Sequence, residues 1–223
     1  VDRLLTQEPY RTRYAERMAV PWLDQARYAD TSGIHMDAGR SIWPYRDWVL
    51  DAYRGNMPFD QFVVEQIAGD VLPGATPQQK IASGFHRCHT TSDEGGAIDE
   101  EYRLEYAVDR AATTGSVFLG LTVGCARCHD HKFDPITAVD FYSMIAFFNS
   151  IEEPGIYSQV PDNKRALEPF MSIPSPELDS KLGALKSHIA ALTAQRESPT
   201  PDEIKLRAEF VPKVIRDSGI AWA

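Results

Sequence analysis

The sequence predicts an all-α protein, an irregular multi-helix domain with a C-terminal linker and helical hairpin. Three observations carry that prediction. Apolar residues recur at helical spacing through most of the first 150 positions. Pro and Gly stand at the places where helices start and stop. The stretch "LTVGCARCHDHKFDPI", residues 121–136, concentrates two of the three cysteines and two of the six histidines.

The helices follow in order. In "YRTRYAERMAVPWLDQARYAD", Tyr14, Met18, Trp22 and Ala26 form one stripe, a helix expected to bend or break near Pro21. "WPYRDWVLDAYRGN" has Pro44 in a first turn and Gly55 at the stop, and "MPFDQFVVEQIAGD" repeats this with Pro58 and Gly69. "TPQQKIASGF" begins with Thr76 as N-cap and Pro77 at the first position. A longer helix is expected through "DEEYRLEYAVDRAATTGSVFLGL", acidic at its start, delivering the chain to the cysteine stretch. After Pro135, "TAVDFYSMIAFFNS" reads as an apolar helix buried on most sides. The loops "TSGIHMDAGRSI" and "HRCHTTSDEGGAI" are rich in polar side chains and Gly, the composition of site-bearing loops on a helical scaffold.

Three regions follow: a domain over 1–153, a proline-rich linker or wrapping arm over 154–175, and a helical tail over 176–223. In the tail, Leu178, Leu182, Leu185, Ile189 and Leu192 step by four, three, four and three, a heptad seam. It is too short to stand alone in water, so it is expected to pair with a partner helix, for which "TPDEIKLRAEFVPKVI" is the candidate.

Composition narrows function. The 223 residues are 43% hydrophobic, enough for one sizeable core, and the formal charge is −9, which repels phosphate backbones and argues against nucleic acid as a partner. No run of about twenty apolar residues exists to span a membrane. The opening "VDRLLTQEPYRTRY" has no signal-peptide pattern, so an export signal is expected outside this sequence. Three cysteines are too few for a disulfide framework.

Cys125, Cys128 and His129 form C-x-x-C-H. Two thiols at this spacing can add to the two vinyl groups of one haem, and the adjacent His then ligates the iron, so attachment and ligation are one local event. A zinc clip would use Cys125, Cys128, His129 and His131, four ligands crowded into seven residues, where a tetrahedral site usually takes its second pair from elsewhere. A redox dithiol would want a βαβ context, which the pattern lacks. The haem reading is preferred.

The segment "CARCHDHKFDPIT", together with "RMAVPWLDQARYADTSGIHMDAGRSIWPYRDWVLDAYRGNMPFDQFVVEQIAGDVLPGATP" and "IASGFHRCHTTSDEGGAIDEEYRLEYAVDR", resembles the planctomycete-type cytochrome c domain family over roughly residues 1–152. The resemblance implies an exported, multidomain setting, hence a periplasmic or otherwise extracytoplasmic location and electron relay to a neighbouring domain or partner protein.

With His129 proximal, His35 or Met36 is the first candidate for the distal side, and His86 or His89, flanking Cys88, the second. Asp130, His131, Lys132 and Asp134 are expected to orient His129, contact propionates or brace the loop. The expected function is a mono-haem c-type cytochrome domain for electron transfer, an electron carrier more than an enzyme. The alternatives are a five-coordinate haem enzyme or small-ligand sensor, with His35, His86 or Arg87 as acid–base or charge-stabilising groups, and a haem- or zinc-stapled interaction module. Cys88 reads equally as an inert or a reactive thiol. The acidic stretch 93–101 reads as a helix start, with a calcium loop as the alternative. Trp22, Tyr28, Trp43, Tyr45 and Trp48 read as core, with a haem wall as the alternative.

Overall fold

A computed structural model describes residues 1–35, 37–157, 166–173 and 175–218, the side chains of 211–218 excepted. Met36 lies outside the described residues. The chain divides into two compact units, Val1–Met171 and Ser172–Ala223. Among the described residues the structure is helical, with isolated β-bridges and no sheet.

In the first unit α1 (Asp2–Thr6) is a single turn and α2 spans Tyr10–Ala26. Of the expected bend or break at Pro21, the break does not occur: α2 runs through it. The carbonyl that its missing N–H would have served belongs to Arg17, an exposed residue whose carbonyl solvent can reach. The helix stops at Arg27, in the left-handed conformation with φ 59°, and the Tyr28 N–H reaches back to the Leu23 carbonyl at 2.9 Å.

α3 (Trp43–Arg54) and α4 (Phe59–Ala68) start and stop at the Pro and Gly positions read from the sequence, and α5 (Pro77–Ala82) starts at the Thr76–Pro77 pair. Thr76 and Gln79 form the capping box of α5. These helices enclose the first core. Trp48 stacks on Phe62 with ring centroids 5.3 Å apart, and Trp22 meets Phe62 edge-on at 4.7 Å. The fully buried Gln66 takes hydrogen bonds from Tyr45 Oη at 2.7 Å and Trp22 Nε1 at 2.9 Å, so the polar ends of two core aromatics satisfy each other's needs without water. Tyr28, Tyr45, Trp22 and Trp48 thus belong to a packed core, while Trp43 is half exposed.

α6 (Asp99–Thr114) continues into a π-type turn over Gly115–Leu119, where the sequence pattern suggested unbroken α-helix. Gly115 abuts the Val123 side chain so closely that a Cβ would collide with it, and Gly120, at φ 66°, ends the turn. A 3₁₀ turn over Val123–Arg127 and α7 (Ala138–Ala146) then pack on α6 around a second core of Ala107, Ala111, Val123, Ala126, Phe141 and Ile145. α7 buries Phe141 and Ile145 alone; Val139 is 73% and Tyr142 54% exposed, so it is less enclosed than its composition suggested.

The second unit contains α8 (Pro176–Glu197) and α9 (Pro201–Ser218). No residue of α8 is buried, and every residue of its heptad seam is more than half exposed, from 51% at Leu182 and Leu192 upwards. The hairpin packing expected of the tail does not cover that seam among the described residues.

Candidate functional site

The 3₁₀ turn explains the presentation of the cysteines. Residues three apart in such a turn share one side. Val123 and Ala126 point into the second core, at 5% and 0% exposure, so Cys125 and Cys128 share the side facing solvent. Both are unbridged thiols. His129 follows, exposed, with Nδ1 donating to the Asp130 carbonyl at 2.8 Å. A carbonyl can only accept, so Nδ1 carries the proton and the Nε2 lone pair is left to a ligand. That is the arrangement of metal-binding histidines, whose other ring nitrogen is fixed by a carbonyl or carboxylate.

The following loop braces this group. Asp130 Oδ1 accepts from the Ala138 N–H at 2.9 Å, tying the residue after His129 to the first turn of α7. Tyr142 Oη on α7 donates to the Arg127 carbonyl at 3.0 Å. His131 is turned inward, its side chain 6% exposed. Its Nδ1 accepts from the N–H groups of Asp134 at 2.9 Å and Phe133 at 3.3 Å, which places the proton on Nε2, 3.1 Å from Thr122 Oγ1. The Asp134 carboxylate also lies 3.3 Å from Nδ1, but the backbone donors fill that lone pair, so the contact is not an ion pair. Both His131 nitrogens are therefore committed to the loop. Among the described residues no group of three or more His, Cys, Asp or Glu is disposed to hold a metal ion. Lys132 lies over the Phe133 ring at 5.2 Å, and Phe133 is 83% exposed. Arg127 pairs with Glu105 of α6 on the flank.

The remaining histidines lie elsewhere. His35 has φ 58° and pairs through Nδ1 with Glu94 Oε2 at 2.6 Å. His86 Nε2 lies 3.2 Å from the Ile67 carbonyl, its Nδ1 is buried without a partner, and its ring packs on Phe148 at 5.0 Å. Burial pushes the His86 imidazolium down to about 4. His89 is held well below the usual imidazole range by burial first and then by Arg110, Arg87 and Arg40. Both rings line a small cavity with Arg27 and Arg110. Among the described residues no hydrogen bond, ion pair or ring contact joins His35, His86 or His89 to the Cys125–His129 turn. Cys88 is buried, and burial pushes its thiol up to about 12, the environment of an inert cysteine.

One polar cluster has no signature in the sequence. Glu153, with a 2% exposed side chain, receives Arg110 through both terminal nitrogens and Arg87 at 2.8 Å, with His89 Nε2 3.9 Å away. Arg40, also buried, spends its guanidinium on the carbonyls of Ala29, Cys88 and His89. Its partners lie 11 to 49 positions away, and those of Glu153 43 and 66, so no local pattern announces the cluster. In the acidic stretch, Asp99 Oδ1 holds the N–H groups of Gly155 and Ile156, and Glu100 pairs with Arg103.

Two unbridged, outward-facing thiols and an imidazole with one free nitrogen, fixed in one braced turn, are a donor set that fits covalent attachment and axial ligation of a haem. The turn is flanked by exposed apolar side chains at Phe133, Val139 and Tyr142, available to be covered by an apolar macrocycle.

Neither a curated protein nor a solved structure matches the chain. A family model does match residues 1–153, more than half of the sequence and within the first structural unit. The chain belongs to the planctomycete-associated PSCyt2 family, described as a protein of unknown function (DUF1549).

Proposed function

We propose that this chain is a mono-haem c-type cytochrome domain that transfers electrons outside the cytoplasm. Haem c supplies, when bound, a one-electron ferrous/ferric couple. Cys125 and Cys128 hold the group as thioethers, and His129 offers Nε2 as the proximal ligand. The Asp130 carbonyl sets the tautomer and orientation of that imidazole, and His131 locks the loop behind it. The observation that carries the reading is the His129 Nδ1–Asp130 carbonyl bond beside two exposed, unbridged thiols on one turn. His35 and Met36 are the first residues to test as the distal ligand. Thioether attachment belongs to exported proteins, which supports a periplasmic location, and a redox partner or a neighbouring domain completes the relay.

The test is to make the protein in a periplasm with haem maturation and record oxidised and reduced visible spectra, alongside intact mass. The expected result is one covalently bound haem per chain, lost on Cys125→Ala/Cys128→Ala. Sharp reduced bands with a low-spin ferric spectrum mean electron transfer. A high-spin spectrum that shifts with carbon monoxide or peroxide replaces the carrier by a ligand-binding or peroxidase-type site. A colourless protein overturns the haem reading.

A further inference from the structure

Beside the first turn of α6 the chain buries oxygen atoms that nothing in the protein serves. Asp93 is 3% exposed and Thr91 2% exposed. Both carboxylate oxygens of Asp93, the Thr91 hydroxyl and the hydroxyl of Ser32, 7% exposed, have no hydrogen-bond partner. Thr91 and Ser92 stand in isolated β-bridges and Asp93 follows two positions after Thr91, the spacing that an extended chain puts on one side. Ser32 lies on the adjoining segment, its carbonyl accepting the Thr91 N–H at 2.8 Å next to the Gly33–Thr91 bridge.

The neighbouring polar groups are already spent. Asp37 Oδ1 takes the Gly33 N–H at 2.7 Å, Glu94 pairs with His35, and Asp99 holds Gly155 and Ile156. The Ser92 hydroxyl accepts the Glu94 N–H at 3.2 Å. Among the described residues no Lys or Arg pairs with Asp93. A carboxylate buried without donor or counter-charge costs several kcal/mol, and unpartnered hydroxyls add to that cost. Buried oxygen atoms that no donor of the protein serves, on two segments joined by a backbone hydrogen bond, are of the kind that a bound cation can serve.

We propose that Asp93, with the Thr91 and Ser32 hydroxyls, binds a hard cation, calcium being the candidate. The donors are all oxygen, the ligand type of calcium and of the alkali cations rather than of zinc or copper. A single carboxylate sets a weak site, with Kd of about 10⁻⁴–10⁻³ M, the range of extracellular calcium modules. The frame is rigid: the Ser92 N–H donates to Tyr106 Oη at 2.7 Å, Tyr106 Oη donates to the Gly155 carbonyl at 2.6 Å, and the Tyr157 N–H donates to the Ser92 carbonyl at 2.9 Å. The net charge of −9 favours cations over the whole surface, so the test has to separate a site from a field.

The full chain is stripped with chelator and melted in calcium, magnesium, potassium or sodium chloride at matched ionic strength, as are Asp93→Asn and Thr91→Val. Calcium at ten times Kd is expected to raise the Tm of the unsubstituted protein by about 4 °C. That shift is expected to vanish in Asp93→Asn and to need about tenfold more calcium in Thr91→Val. Titration calorimetry is expected to give one ion per chain. A response confined to potassium or sodium, and lost in the variants, keeps the site and identifies a monovalent occupant. Equal responses to every salt, or responses unchanged in Thr91→Val, overturn the site, as does no response to any cation. Thr91→Val keeps the charge and nearly the shape, so the test stands even if Asp93→Asn fails to fold.

Discussion

Glu153→Gln removes one charge from a place where two guanidinium groups converge. Glu153 and Arg110 have side chains 2% and 1% exposed, and Arg87 is 22% exposed. The amide keeps the volume but leaves Arg110 without a counter-charge in the interior and Arg87 without its carboxylate. Breaking a buried pair from one side costs about 3–5 kcal/mol. In a unit of this size each kcal/mol moves the midpoint by about 2–4 °C, so Tm is expected to fall by about 10 °C. Urea unfolding followed by far-UV circular dichroism gives the free energy directly, with the m-value unchanged. Arg110→Met is expected to be milder, because Glu153 keeps Arg87. The double variant Arg110→Met/Glu153→Gln removes the stranded interior charge and is expected to be more stable than Glu153→Gln alone. A double variant as unstable as the sum of the singles, or a loss below about 1 kcal/mol for Glu153→Gln, refutes the argument, since coupling between contacting charges is what the cycle measures.

Three further outcomes are expected. His131→Phe strands the N–H groups of Phe133 and Asp134, costing about 1–3 kcal/mol and speeding exchange of those two amides; unchanged protection would show that the loop does not lean on the imidazole. His86 is neutral when folded and titrates at about 4, while its unfolded form titrates near 6.5, so the unfolded chain binds more protons and stability falls as pH drops from about 6.5 to 4, by about 3 kcal/mol. His89 contributes in the same direction, and His86→Gln is expected to flatten the slope of urea midpoint against pH in that window. In protein made without haem, a thiol reagent at pH 8 is expected to label Cys125 and Cys128 at once and Cys88 only in denaturant; three fast thiols would contradict the buried environment of Cys88.

Local chemistry was legible and distant pairing was not. Pro44, Pro58 and the Thr76–Pro77 pair placed three helix starts, because caps and first turns are decided by a few adjacent residues. The C-x-x-C-H stretch was legible for the same reason, since all its donors fall within five positions. What escaped is the register that turns Cys125 and Cys128 outward, which depends on Val123 and Ala126 finding Ala107 and Ala111 across a chain reversal. The π-turn after Thr114 goes with the close approach of Val123 to Gly115, a tertiary contact. The seam on α8 had the right period, but periodicity states only that a helix has an apolar face and not where its cover lies.

The return of residues 153–157 to α6 governs where this domain ends. Glu153 closes on Arg110, Gly155 and Ile156 close on Asp99, and Tyr157 closes on Ser92. These contacts span 43 to 65 positions, so closure waits until Tyr157 has been synthesised, after the Cys125–His129 turn has emerged. A fragment cut at residue 153, where the family match stops, would keep the buried carboxylate but lose the three residues that latch the segment carrying it. The working border for excision or fusion is therefore past Tyr157, and a shorter piece would present the C-x-x-C-H turn on a scaffold that has not shut.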